Sequence, residues 1–464
     1  MSLTYELADF VVNSDYKDMP AKAITIAKEC ILDCLGCIFA GSIEPAGKIV
    51  TEYVRGLGGN PQSSVITCGL KTAPPQAAMA NASMAHAIDY DDSALGQSWH
   101  PSVVLLPPIL ALGEVYHATG KDMIQAYIAG FEIAYRIGRA VHAHYYEGGW
   151  HKTGTVGSIG AAAAAAKISG LNTHQTALAF GIAASGAAGL RKNFGTMTKP
   201  LNAGNAAKNG VTAAKLAEMG FSADENIMDG PLGFIRTMNG SEEALAEMNK
   251  TLGTSYDLVS RGVMLKVYPS CTATHRCIDA MLFLKNEYGF HADDIFEVLL
   301  ETDAGCAYSL RHHQPKTALQ GKFSLEYCIA ALMLDGRVGL QQFVDKKVLD
   351  PKVQQLVQRV KYVHPEGNEL VQRQQELPHG VIVKLKDGRQ FSHQVSAPRG
   401  SPENPMTQEE RLAKFSECAS YALSQEQIER CVALVSKLET LDDINKLTDA
   451  IASADSLGKR LKTN

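Results

Sequence analysis

Ala85-His-Ala-Ile-Asp-Tyr-Asp-Asp-Ser93, running on to Trp99-His100-Pro101-Ser102, gathers the carboxylates Asp89, Asp91 and Asp92 and the imidazoles His86 and His100. An apolar pattern of helical period precedes this stretch and another follows it. Ionisable side chains at the junction of two buried helices need either partners or a chemical task, because an unpaired charge out of water is costly. Asp91 and Asp92 suit a turn or a cap on the next helix, where a carboxylate accepts from free backbone N–H groups. His86, on an apolar helix, is expected to be structural.

Working outward, Pro74-Pro75 opens the helix that leads into the stretch, with proline at first-turn positions where its missing N–H costs little. Upstream, helices are expected over 4–12, from Pro20 to about Ala40, and from Pro45 to Gly56, with a short strand at Ser63–Thr67. Cys30, Cys34 and Cys37 have a spacing that can hold an iron–sulfur cluster. Offsets of four and seven also place them on one helix face, where free thiols pack as small core residues, and that is the reading adopted. Downstream, helices are expected over Val103–Glu114, where Pro107 and Pro108 imply a nearby start or a kink, and over Met123–His142. Gly154, Gly157 and Gly160 precede an alanine run. They lack the strand and the G-x-G spacing of a dinucleotide fingerprint, so close helix packing is expected. Helices continue over Thr173–Leu190, Ala203–Gly220 and Glu242–Leu252.

Beyond residue 260 the texture changes. Phe296–Asp303 and Val360–His364 read as strands, and 380–395 alternates with period two around Asp387-Gly388, a hairpin signal. Helices at Cys271–Tyr288 and Leu325–Leu334 lie between them. Pro398–Pro405 is a linker, and helices return at Thr407–Ala422 and Gln425–Leu438. The fold class is therefore mostly α with an α+β part: a large discontinuous helical domain (1–262 and 397–464) carrying an inserted α+β lid (263–396). A cleft between two such bodies is a favoured ligand site.

The 464 residues are 20% charged and 45% hydrophobic with a net charge of −5, an ordinary globular balance that points to neither a nucleic-acid nor a membrane partner. Ten dispersed cysteines do not suggest a secreted disulfide scaffold. The N-terminus lacks a basic segment followed by an apolar one, so a cytoplasmic protein is expected. His142-x-His144 and His312-His313 lack nearby ligands at a zinc spacing, and Cys271-x3-His275 would need distant partners, so no metal is expected.

Several segments, taken jointly and in order, resemble the MmgE/PrpD family. They are the Ala85–Asp92 phrase, His100-Pro-Ser102, Gly149-Trp-His-Lys-Thr-Gly-Thr-Val-Gly157, Thr198-Lys-Pro-Leu-Asn-Ala-Gly-Asn-Ala-Ala207, Lys266-Val-Tyr-Pro-Ser-Cys271 with His275, and Lys322-Phe-Ser-Leu-Glu-Tyr327. The helical, α+β, helical order agrees, and the likeness runs from about residue 5 to 450. The resemblance implies chemistry beside a carboxylate of a small polyacid, without metal or organic cofactor, in a homodimer. It implies a pocket with His100, His151, Asp89 and Tyr327 in catalytic roles, and with Ser93, Lys199, Lys266, Cys271 and His275 binding substrate.

These residue types suit that chemistry. Ammonium groups stabilise charge developing on carboxylates. Two histidines can serve as acid and base, and a carboxylate such as Asp89 can fix a histidine's tautomer. Dehydration of a 2-methylcitrate-like acid and decarboxylation of a cis-aconitate-like acid both fit, as does epimerisation of an iminodisuccinate-like acid. A non-catalytic binding protein on the same fold is the further alternative. Structural readings also stand: Lys199 and Lys266 as solvated lysines, His275 in a core, Tyr327 simply packed. Cys271 and Ser93 replace the His and Thr that the resemblance implies for animal-type cis-aconitate decarboxylases. A thiol is a poorer proton donor unless its pKa is tuned.

Overall fold

The computed structural model describes residues 2–97, 99–141, 148–302, 306, 309–363 and 379–452. The His142-x-His144 pair lies outside the described residues.

The elements that position the site are drawn from both parts of the chain. In the helical body they are α1 (Ala21–Ser42), α2 (Pro74–Ala87), α3 (Ser102–Tyr116), α4 (Gly120–Ala140), α5 (Val156–Ile168) and α6 (Thr198–Glu218). Strands β1 (Ser93–Ala94) and β2 (Val263–Met264) pair across the start of the inserted region. Beyond it come α7 (His275–Tyr288), β3 (Ile295–Glu301), α8 (Leu325–Asp335), β4 (Val360–Val363), β5 (His379–Leu385), β6 (Gln390–Val395) and α9 (Gln408–Ala419).

Small residues let the central helices approach closely. Every residue of α2 from Ala77 to Ala87 is buried, and most are Ala, Ser or Asn. On α6, Gly204 lies so near α2 that a methyl group there would fall 2.1 Å from Ser83 Oγ and 2.7 Å from the Met79 carbonyl. The alanine run forms α5, and a methyl on Gly160 would fall 2.7 Å from Ala134 Cβ, which agrees with close packing as the use of that glycine series. The three cysteines of α1 are buried in apolar cores, as expected. Pro107 and Pro108 lie inside α3, whose residues from Ser102 to Glu114 are all buried.

One apolar core joins residues from Leu7 to Leu265 with residues from Met406 to Ile451. A second core runs from Tyr268 to Leu385. The second contains a four-stranded sheet of order β4-β3-β5-β6, in which β3 and β4 are parallel and the other pairs antiparallel. The hairpin expected around Asp387-Gly388 is the β5–β6 pair, and Gly388 has φ of +90°, a conformation glycine reaches without steric cost.

Two local readings change. The Thr173 helix ends at Ser185, not Leu190. Lys199 is not a solvated lysine, because α6 begins at Thr198 and holds Lys199 and Pro200 in its buried first turn. Proline is tolerated there because a first-turn N–H has no intrahelical partner to lose.

Candidate active site

The decisive stretch is a buried loop between α2 and α3. The N-cap residue of α3 is Pro101, and Asp92 bonds the start of the helix from across the loop: its Oδ1 accepts from the Ser102 N–H at 3.1 Å and its Oδ2 from the Ser102 hydroxyl at 2.6 Å. Burial pushes its carboxyl up to about 7. Asp89 takes a left-handed conformation with φ of +54°, which Asp tolerates better than most residues.

Asp89 holds two cations. Lys199 Nζ lies 2.8 Å from its Oδ2, while Lys266 Nζ pairs with its Oδ1 and also donates to its backbone carbonyl at 2.9 Å. All three side chains are buried. Burial raises the Asp89 pKa, but the two ammonium groups outweigh it and hold the carboxyl well below its ordinary range. Lys266 arrives because β1 and β2 pair Ser93 with Met264, fastening the loop to the start of the second core. The preceding carbonyl, Ile88 O, accepts from Lys322 Nζ at 2.7 Å, and the following one, Tyr90 O, from Lys414 Nζ at 2.8 Å. Three successive carbonyls thus each receive a buried ammonium from a different segment of the chain.

Three imidazoles stand beside this clamp. Asp91 Oδ2 lies 2.9 Å from His86 Nδ1 and 2.9 Å from His100 Nδ1, and His100 Nδ1 is also 2.7 Å from the Asp92 carbonyl. The His86 ring centroid is 4.6 Å from that of His100 and 5.9 Å from that of His151. Asn202, one turn beyond Lys199 on α6, lies 3.1 Å from His151 Nδ1. With the amide donating, His151 carries its own proton on Nε2. Burial lowers all three imidazoles, taking His86 to about 4, so each is neutral near pH 7. Asp91 remains ionised because contact with His86 and His100 outweighs burial.

His86, Asp91 and His100 are the one group of three donors among the described residues close enough to share a metal ion. The donor chemistry favours hydrogen bonds. The Asp92 carbonyl can only accept, so the close Nδ1 of His100 bears a proton instead of offering a lone pair.

A cavity of about 140 Å³ opens onto this array. It is smaller than sites for drug-sized ligands, which run to ~300–1,000 Å³. Asp89, Ser93, His100, His151, Lys199 and Cys271 line it together. Lys266 reaches the site through Asp89. Like Lys266, two further candidates do not line the cavity. The Tyr327 hydroxyl donates to the Gln342 carbonyl, and its ring is fully buried in the second core against Phe343. The helical pattern that marks Tyr327 gives its face but not which side of α8 meets the cavity. His275 opens α7 with its ring against Tyr268 and Nε2 3.3 Å from the Ser270 carbonyl, and Cys271 precedes the helix instead of sharing its face.

Other lining residues are not singled out by the sequence: Trp150 and Phe323, which lie inside the segments that carry the family resemblance, and Arg191, Phe194, Arg276 and His379, which lie outside them. The Lys199 ammonium sits 5.4 Å and 5.0 Å from the Phe194 and Phe323 ring centres, within cation–π range. Arg191, Lys199 and Arg276 against Asp89 give the lining a cationic excess that suits a polyanion, whereas burial lowers Lys152 to about 7. Burial holds the Cys271 thiol above its ordinary pKa, so it is protonated.

Comparison with known proteins matches the chain in two parts. Residues 5–246 match the MmgE/PrpD N-terminal domain and 268–440 the MmgE/PrpD C-terminal domain. The chain belongs to the MmgE/PrpD family. Within the family it is 30% identical to cis-aconitate decarboxylase of Mus musculus over 463 residues, covering 96% of this chain and 93% of that protein. It is 27% identical to cis-aconitate decarboxylase of Aspergillus terreus over 472 residues, covering 97% and 96%. It is 23% identical to the mitochondrial 2-methylcitrate dehydratase of Yarrowia lipolytica over 480 residues, covering 97% and 90%. As an MmgE/PrpD protein with full-length lyase relatives, this chain is an enzyme of decarboxylase or dehydratase type. Among the described residues no helix is long and apolar enough to cross a membrane.

Proposed function

We propose that this enzyme decarboxylates a small tricarboxylate of the cis-aconitate class, using its own acid, base and cationic groups. The observation that carries the reading is the Lys199–Asp89–Lys266 clamp in one small cavity with His100 and His151. Lys199 and the lining arginines bind carboxylates of the trianion, while Lys266 acts through Asp89. As one carboxylate leaves as CO2, its C–C bonding pair becomes a new double bond, the π pair of the existing double bond moves to the far carbon, and that carbon takes a proton from the enzyme. His151, with its proton on Nε2, or the protonated Cys271 thiol is placed to give that proton, and neutral His100 to exchange one with it or with solvent. The full-length likeness to cis-aconitate decarboxylases supports this choice.

Dehydration of a 2-methylcitrate-like acid is the second reading, favoured by Cys271 standing where animal decarboxylases are expected to carry His. There a base removes the proton beside a carboxylate, and an acid protonates the departing hydroxyl, which leaves as water. Incubation with cis-aconitate, citrate, 2-methylcitrate and iminodisuccinate in D2O, followed by proton NMR, separates the outcomes. Loss of CO2 with one deuterium placed on carbon supports the proposal. Loss of water supports the second reading, and exchange without net change means epimerisation. Inertness toward all four acids overturns both. The proposal carries with it a homodimer in the cytoplasm, checked by light scattering and by fractionation.

A further inference from the structure

His86 lies outside the cavity lining and is buried, so it has no access to substrate. It is nonetheless in contact with both lining histidines and shares a single carboxylate oxygen with one of them. We propose that His86 is a positioning residue which, by donating its Nδ1 proton to Asp91 Oδ2, divides that oxygen between two imidazoles and so sets the proton affinity of His100.

The argument starts from the protons. His100 Nδ1 bears one, because the Asp92 carbonyl at 2.7 Å can only accept. A neutral His100 therefore keeps its lone pair on Nε2, the nitrogen not tied to the loop. Asp91 is ionised and accepts only, so the Nδ1 of His86, 2.9 Å from the same Oδ2, is also a donor. A carboxylate oxygen serving one imidazole stabilises that ring's cation fully. Shared between two donors, it does so less. His86 thus restrains the basicity that Asp91 would otherwise confer on His100. The other charged or titratable groups facing His86 are His151, from the loop before α5, and Lys199 of α6, with Asp89 and Lys266 behind them. Burial and Lys199 keep His86 itself neutral down to about pH 4, so it does not titrate where His100 does. Its Nε2 and the Asp91 Oδ1 are buried without a hydrogen-bond partner among the described residues, which leaves Asp91 Oδ2 as its polar link to the site.

The inference rests on His100 exchanging protons with substrate, and the experiment separates the two ideas. An Asn amide nitrogen falls where His Nδ1 lies, and a Gln amide nitrogen where His Nε2 lies. His86→Asn keeps the donor to Asp91, whereas His86→Gln and His86→Phe remove it. The acid limb of the kcat/KM profile is expected to stay in place in His86→Asn. In the other two it is expected to move up by about one pH unit, the worth of one charge-assisted hydrogen bond. Equal limbs in all three variants, with losses only in kcat or thermal stability, overturn the proposal. So does a shift in His86→Asn equal to that in His86→Gln. Where a variant does not fold, the wild-type protein labelled with ¹⁵N-histidine decides. Both His86 and His100 are expected as neutral Nδ1–H tautomers at pH 7, and an Nε2–H tautomer at His86 refutes the inference without any substrate.

Discussion

Lys266→Met tests the clamp most directly. Lys266 is fully buried, and Asp89 is only 3% exposed, so the substitution leaves a largely desolvated carboxylate with Lys199 as its remaining ammonium partner. Breaking a buried ion pair from one side costs about 3–5 kcal/mol. Lys199 retains part of the attraction, so the lower end is expected. Asp89→Asn leaves two buried ammonium groups without their anion and should cost a similar amount. In the double variant the introduced thioether packs beside a neutral amide, and much of the loss should return. A double-mutant cycle by urea denaturation should therefore show a coupling of about 2–3 kcal/mol, well above the ~0.5 kcal/mol within which independent sites add. The sign with pH is fixed. Asp89 has a folded pKa below its unfolded value, so its contribution is present above about 3.9 and is lost as pH falls through the folded value. Removing Lys266 raises that folded value, so the gap between wild type and variant is widest at neutral pH and narrows on acidification. Additive single effects, or a gap that widens in acid, would refute the reasoning.

His100→Ala and His151→Ala should each lower kcat/KM by about 10²–10⁴-fold with the fold intact, the usual span for a lost acid or base, read by product NMR and circular dichroism. Tyr327→Phe should leave kcat/KM within twofold, because the hydroxyl bonds Gln342 away from the cavity; its cost of about 1–3 kcal/mol from an unmet carbonyl should appear in the melting temperature. Gly204→Ala should cost about 1–3 kcal/mol and reduce activity, since it forces α6, with Lys199, away from α2, which carries the Asp89 loop. Stability should fall as pH drops from 7 to 5. The four buried histidines 86, 100, 151 and 275 are held neutral while their unfolded forms take protons near 6.5, each contributing a slope of about 1.4 kcal/mol per pH unit. Asp92 and Glu132, both raised to about 7, oppose this with the opposite sign, and a flat melting curve over that range would show that they cancel it.

The sequence carried the helical frame and the inserted sheet because period 3.6 and period 2 are written locally. Asp89, Lys199 and Lys266 were placed in one site by resemblance, and their joining has a physical form that no local pattern expresses: the pairs lie 110 and 177 positions apart. Tyr327 and His275 share that origin, yet both face the interior of the second core, since helical spacing separates buried from exposed without saying which interior. His86 is the converse case. An imidazole on an apolar helix reads as structural, and only the shared oxygen of Asp91 shows what the structure holds it for. Arg191 and Arg276 give no pattern at all, because a lining cation is defined by the wall opposite it.

The three carbonyls of Ile88, Asp89 and Tyr90 receive ammonium groups from Lys322, Lys266 and Lys414, at sequence separations of 234, 177 and 324. During synthesis the loop is complete once residue 90 has been added, yet its last supporting lysine does not exist until almost nine-tenths of the chain has been made. The Asp89 carboxylate has no counter-ion until Lys199 has been added, and the carbonyls of Ile88 and Tyr90 wait longer still, for Lys322 and Lys414. Completion of the pocket is therefore a late event that waits on distant contacts, which is where slow steps in folding concentrate. A fragment ending at the boundary between the two cores would lack Lys322 and Lys414 together. No half of this protein is a weaker version of the enzyme.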